Sequence, residues 1–233
     1  PGASGEVEDL VRWHDGFDDV LFAVGRFGAV DDAVAEGIAR WDGHSWRPVG
    51  GGIDLEGRFE TVEGARVLDM GGERLFLVGD FKSIGGVPAS SVAAWDGQNW
   101  DVLGGGPQPN PGETLELFSV CAFDDGNGSK LYVGGESKDT YNIEQPFIAS
   151  WDGTTWTRLA AGPSVPWCYD VYFGGCDVGA INQMEVFDDG SGPALFVGGH
   201  FTDVGPTPAS FIARFDGTTW STVAGTGPGG ITG

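Results

Sequence analysis

Two glycine-rich stretches concentrate hard oxygen donors: Asp124-Asp125-Gly126-Asn127-Gly128 and Asp188-Asp189-Gly190-Ser191-Gly192. Carboxylate, amide and hydroxyl oxygens gathered on a turn suit calcium, which takes about six to eight oxygen ligands. Asp124, Asp125, Asn127, Asp188, Asp189 and Ser191 are the candidate metal ligands, and calcium is the candidate cofactor. The bidentate Glu that completes an EF-hand loop is missing at the expected distance. Earlier in the chain the matching places hold Asp15, Asp18 and Asp19, then only Gly71-Gly72-Glu73. A solvated hairpin turn accounts for the same residues, and both readings stay open here. Asn127-Gly128-Ser129 also fits a glycosylation sequon.

Segment 160–179 gathers a different chemistry. Trp167, Tyr169, Tyr172 and Phe173 crowd it together with Pro163 and Pro166. They either plug their own sheet or contact a ligand, because functional surface concentrates in such insertions. Cys168 and Cys176 flank the aromatic run, and a hairpin there would bring them within disulfide reach. Cys121 lies in an apolar run and reads as a buried free thiol.

Other chemistry finds little support. His14, His44 and His200 are the only histidines, and no pair has zinc or copper spacing. There is no phosphate-cradling loop followed by Lys, and no Gly-x-Ser-x-Gly elbow. Carboxylate pairs abound, but among 34 acidic residues they discriminate nothing. The reading is a non-enzyme. A lyase or hydrolase that works through carboxylates is the alternative.

Composition narrows the partners. Three Lys and nine Arg face 34 acidic residues, for a formal net charge of −22. A nucleic-acid binder needs a basic footprint, and none is present. No apolar run approaches the roughly 20 residues of a membrane-spanning helix. Gly supplies 42 of 233 residues. A helical bundle does not use it so freely, since each interior Gly costs about 1 kcal/mol relative to Ala. Nine Trp and fifteen Phe likewise exclude a disordered chain.

The elements that position these residues come from a repeat. LFAVGRF (21–27), LFLVGDF (75–81), LYVGGES (131–137) and LFVGGHF (195–201) align without gaps. An aromatic-Asp-Gly turn begins 20 positions after each Leu, at Trp41, Trp95, Trp151 and Phe215. A second Trp follows each of these aromatics at a constant spacing, at Trp46, Trp100, Trp156 and Trp220. Short apolar runs ending in Gly read as strands. Asp-Gly before a Trp reads as a hairpin with a type I′ turn. A further strand precedes each Leu, at 7–13, 63–70, 117–123 and 180–187. Each unit therefore holds four strands in about 50 residues, the size of a propeller blade. The first aromatic series is expected between blades and the second over their outer parts. A ring of exposed aromatics that stack on sugar is the alternative. Asp42, Asp96, Asp152 and Asp216 are expected to bond their own turn backbones. Gly134-Gly135 and Gly198-Gly199 are expected where backbones approach closely.

This pattern resembles kelch and galactose-oxidase-type propeller repeats. With FDDGSGPALFVGGHF and IARFDGTTW in one unit, it is similar to bacterial extracellular propeller-repeat proteins and to fungal cortical-polarity-marker propellers. The resemblance covers roughly residues 6–225 and implies a fold more than a function. Galactose oxidase's own Tyr, Cys and His redox centre has no counterpart here. Such families usually carry six or more blades, whereas this chain has four.

The expected architecture is all-β: a β-propeller of four four-stranded blades at about 6–50, 57–106, 112–161 and 178–225. Residues 1–5 and 226–233 are expected as terminal arms. The acidic, lysine-poor composition, the Cys168–Cys176 pair and the resemblance together imply an extracellular or cell-surface setting. The expected function is a structural propeller that self-assembles, with calcium, into a larger ring or filament. Recognition of a glycan or a cell-surface protein is the alternative.

Overall fold

The computed structural model describes residues 2–14, 18–54, 61–141, 143–160, 162–165 and 179–223. The chain divides into two compact units, Pro1–Gln108 and Pro109–Gly233. Each holds two four-stranded antiparallel sheets, and every sheet is a meander in which consecutive main strands pair.

In the first unit, the first sheet comprises Glu6–His14, Asp19–Arg26, Ile38–Trp41 and Trp46–Pro48. The second comprises Thr61–Asp69, Glu73–Asp80, Val92–Trp95 and Trp100–Asp101. In the second unit, the third sheet comprises Thr114–Asp124, Ser129–Lys138, Glu144–Trp151 and Trp156–Arg158. The fourth comprises Ala180–Asp188, Pro193–His200, Ile212–Phe215 and Trp220–Thr222. No α-helix occurs among the described residues, where the only helical element is a 3-10 turn at Leu103–Gly105. The all-β class and the four repeated four-stranded sheets match the repeat.

Each sheet carries the same defect at the same place. The pairing of first and second strands slips between Val7 and Asp9, Val62 and Gly64, Leu117 and Ser119, and Ile181 and Gln183. Opposite each bulge stands a glycine: Gly25, Gly79, Gly135 or Gly199. A side chain there would overlap the carbonyl oxygen of Glu6, Thr61, Glu116 or Ala180 respectively. The repeated Gly is thus the residue that lets the bulged strand close down on its neighbour.

The hairpin between third and fourth strands differs in detail from expectation. Trp41 pairs with Trp46, Trp95 with Trp100, Trp151 with Trp156 and Phe215 with Trp220. Four residues therefore form each loop, and Asp is its first residue. In each loop the Asp amide donates to the carbonyl three residues on. None of these Asp residues has positive φ, so the turn is not type I′. The Asp side chain replaces that geometry. Its Oδ1 accepts the amides of the residues two and three further on in all four copies.

Two-strand ribbons between the second and third main strands were not anticipated. They are Ala29–Val30 with Ala33–Val34, Ser83–Ile84 with Val87–Pro88, and Asp203–Val204 with Thr207–Pro208. Pro163–Ser164 adds a third strand to the last. Among the described residues the third sheet has no such ribbon. Its second and third strands instead run on as one long pair from Leu131–Trp151 to Lys138–Glu144.

Packing is sheet face on sheet face. In the first unit, Trp13, Phe22 and Val24 of the first sheet share a core with Ala65, Leu75, Leu77 and Trp95 of the second. In the second unit, Cys121, Phe123 and Tyr132 of the third sheet pack with Met184, Leu195, Val197 and Phe215 of the fourth. Each fully buried large side chain contributes roughly 1.5–3 kcal/mol. Trp95 and Phe215 thus lie between sheets, as expected, while Trp41 and Trp151 are half-buried. Cys121 is buried, as its apolar run implies.

Candidate functional site

The acidic turns are built as self-contained loops. Asp124 Oδ1 accepts the amides of Gly126 at 2.9 Å and Gly128 at 3.1 Å. Asp125 Oδ1 accepts the Asn127 amide at 3.1 Å. The other carboxylate oxygen of Asp125 receives Lys130 Nζ at 2.5 Å and the Tyr132 hydroxyl at 3.3 Å. Burial raises the Asp125 carboxyl, but the Lys130 and Asn127 bonds outweigh it and hold the group below the usual carboxylate range. Burial and the Asp125 charge together push the Tyr132 phenol up.

The second acidic turn repeats the plan. Asp188 Oδ1 accepts from Gly190 and Gly192, and Asp189 Oδ1 accepts the amide and hydroxyl of Ser191. Arg214 lies beside it, with Nε 3.5 Å from Asp189 Oδ2 and Nη2 donating to Ser191 Oγ at 2.8 Å. The six oxygen-bearing residues read from the sequence therefore fall on two separate turns, one on each sheet of this unit. Among the described residues no group of three or more His, Cys, Asp or Glu side chains is placed to hold a metal ion. Cys168, Cys176, Trp167, Tyr169, Tyr172 and Phe173 lie outside the described residues.

A charged cluster that the sequence reading missed sits on the third sheet. Lys138 Nζ lies 2.7 Å from Glu136, 3.2 Å from Glu144 and 3.4 Å from Glu116. One ammonium thus serves three carboxylates on three neighbouring strands. The Glu136 side chain is only 7% exposed. Burial raises its carboxyl and the Lys138 bond opposes that shift. Burial alone would lower the Lys138 ammonium, yet the surrounding carboxylates push it well above its ordinary value. The available signal was the break in the repeat: LYVGGES ends in Ser137 where the other three segments end in Phe.

The second unit also contains a cleft of about 730 Å³ lined in part by Asn110, Glu113, Gln145, Arg158 and Ser164. Arg158 Nη1 lies 3.5 Å from Glu113 Oε2, and its guanidinium sits 5.0 Å over the Phe147 ring. Asn110 Nδ2 donates to Glu113 Oε1 at 2.8 Å. A paired guanidinium and carboxylate with flanking amides can bind a polar, hydroxyl-rich ligand through several hydrogen bonds.

Compared with known proteins, the chain matches no family model, no curated protein and no solved structure.

Proposed function

We propose that the chain is a non-catalytic, propeller-type repeat module whose role is structural and which associates with copies of itself outside the cell. The observation that carries this reading is the use made of the repeat's reactive side chains. In all four copies the hairpin Asp spends its Oδ1 on two turn amides. Residues retained for binding or catalysis would instead leave oxygens directed at a common point. Association is supported by large apolar side chains that face solvent from the sheets' first strands, Val7, Leu10 and Phe187. The assembly proposed here runs through apolar surface and does not require calcium at Asp124, Asp125, Asn127, Asp188, Asp189 or Ser191. Sedimentation velocity over a range of protein concentrations tests it. Species larger than one chain are expected to grow with concentration, and a single monomer boundary throughout would overturn the reading.

A second reading, recognition of a glycan, is favoured by the cleft. There Arg158→Ala is expected to abolish binding on a glycan array. Absence of any array signal from the unaltered protein would end that reading.

A further inference from the structure

The burial of repeat-equivalent residues is uneven. In each unit one joint between consecutive sheets is visible. The face of the earlier sheet that carries Trp13 and Phe22, or Phe123 and Tyr132, here its trailing face, packs on the leading face of the later sheet. Trp13 and Phe22 meet Ala65 and Leu75 in one joint, and Phe123 and Tyr132 meet Met184 and Leu195 in the other. Both joints carry the same hydrogen bond. The amide of Ala65 donates to Asp9 Oδ2 at 3.1 Å, and that of Met184 donates to Ser119 Oγ at 3.0 Å. Asp9 and Ser119 occupy equivalent places, immediately after the bulge.

Two faces depart from this pattern. On the leading face of the first sheet, Val7 is 42% and Leu10 57% exposed. Their equivalents are buried: Val62, Leu117 and Ile181 for Val7, and Ala65, Val120 and Met184 for Leu10. Leu21 is half-buried where Leu75, Leu131 and Leu195 are fully buried. On the trailing face of the fourth sheet, Phe187 is 59% exposed where Trp13 and Phe123 are buried. Phe196 and Ile212 are half-buried, whereas their equivalents Phe22, Phe76, Tyr132 and Ile38, Val92, Ile148 are buried. Gln183 stands exposed at the place of Asp9 and Ser119, with an amide oxygen able to accept the same bond. Leu10, the counterpart of Ala65 and Met184, bonds its amide to Asp9 Oδ1.

We propose that these two faces are halves of one joint. The trailing face of the fourth sheet in one copy packs on the leading face of the first sheet in a second copy. Phe187, Phe196 and Ile212 on one side and Val7, Leu10 and Leu21 on the other occupy the places of the residues that meet in both visible joints, and Gln183 supplies the recurring acceptor. The contact is heterologous, so it propagates head to tail. It rests on the self-association reading and adds to it the surface and the polarity.

The test uses the full chain and two variants, Leu10→Lys and Phe187→Lys, followed by sedimentation velocity. Both residues are exposed, so both variants are expected to keep the parent circular dichroism spectrum. Each Lys lowers the net negative charge, so electrostatics alone would favour association. The joint predicts the opposite, a loss of self-association by at least about tenfold in each variant. An equimolar mixture is decisive. It should restore association and stop at two chains, because Leu10→Lys keeps an intact trailing face and Phe187→Lys an intact leading face. If the parent assembles but neither variant weakens it, the surface is wrong and self-association stands. If the mixture stays monomeric, the head-to-tail pairing is wrong. If the parent never assembles, both the joint and the reading beneath it fail.

Discussion

Asp216 accepts four hydrogen bonds in its turn, from the amides and hydroxyls of Thr218 and Thr219. The Thr219 and Thr218 amides hold its carboxyl well below the ordinary 3.8. A depressed native value contributes stability that is present above the unfolded pKa and is lost as pH falls toward the native one. Asp216→Asn keeps an acceptor oxygen but removes the proton linkage. The stability advantage of the parent over Asp216→Asn should therefore shrink as pH is lowered from about 6 to about 2.5. Parallel curves in urea titrations at several pH values would contradict this. The glycines give a second residue-scale prediction. Gly198 and Gly199 look alike in the sequence, yet an added Cβ meets only the Phe211 carbonyl at 3.8 Å at Gly198 and overlaps the Ala180 carbonyl at Gly199. Gly199→Ala should cost about 1–3 kcal/mol in urea unfolding through overpacking. Gly198→Ala should fall within about 0.5 kcal/mol of the parent. The spacing of such pairs made close approach legible. At Gly198-Gly199 the bulge register puts it on Gly199, whereas at Gly134-Gly135 both members bear it, one against the Ile181 side chain and one against the Glu116 carbonyl; a string of glycines does not display that difference.

Four meander sheets were legible because hydrophobic periodicity and the Asp-Gly turns repeat at fixed spacing. The ribbons were not. Their signal is fainter: Phe27, Phe81 and Phe201 each precede a β-branched residue by three positions, at Val30, Ile84 and Val204, with Ala35, Ala89 and Ala209 five further on. Strands of two residues carry no alternation of their own, and these are fixed by the burial of those side chains against the sheet. The third sheet breaks this signal at Ser137 and replaces the ribbon with the carboxylates around Lys138. Removing the ammonium leaves Glu136 buried beside two like charges. Lys138→Met should therefore destabilise the protein by about 2 kcal/mol near neutral pH, the cost of leaving a buried charged acceptor unpaired. The raised Glu136 carboxyl gives the deficit a sign in pH. Protonation removes the unpaired charge, so the deficit should narrow on acidification. Glu136→Gln combined with Lys138→Met should recover part of it at neutral pH. Equal deficits in the single and double variants would show that lost packing by the lysine stem, and not the uncompensated charge, sets the cost.

At the scale of the whole molecule, charge and apolar surface act against each other. Every copy carries a formal −22, so two copies repel over a Debye length of about 8 Å at physiological salt. The proposed joint gains from Val7, Leu10, Phe187 and Phe196, whose burial is insensitive to ionic strength at moderate salt. Raising monovalent salt shortens the Debye length to about 3 Å at 1 M and removes most of the repulsion. Assembly should therefore strengthen steadily with sodium chloride. An interface held by ion pairs would weaken under the same treatment. Calcium separates the remaining possibilities. If divalent ions bridged the turns at Asp124-Asp125 and Asp188-Asp189, a chelator would dissolve the assembly at any sodium chloride concentration. Those carboxylates already accept turn amides, and Asp125 also pairs with Lys130. Calcium at matched ionic strength is accordingly expected to add nothing beyond screening. Light scattering across a sodium chloride series, with calcium or chelator at each step, reads both effects together. Scattering that falls with salt, or that collapses on chelation, would transfer the association from the apolar faces to charged groups.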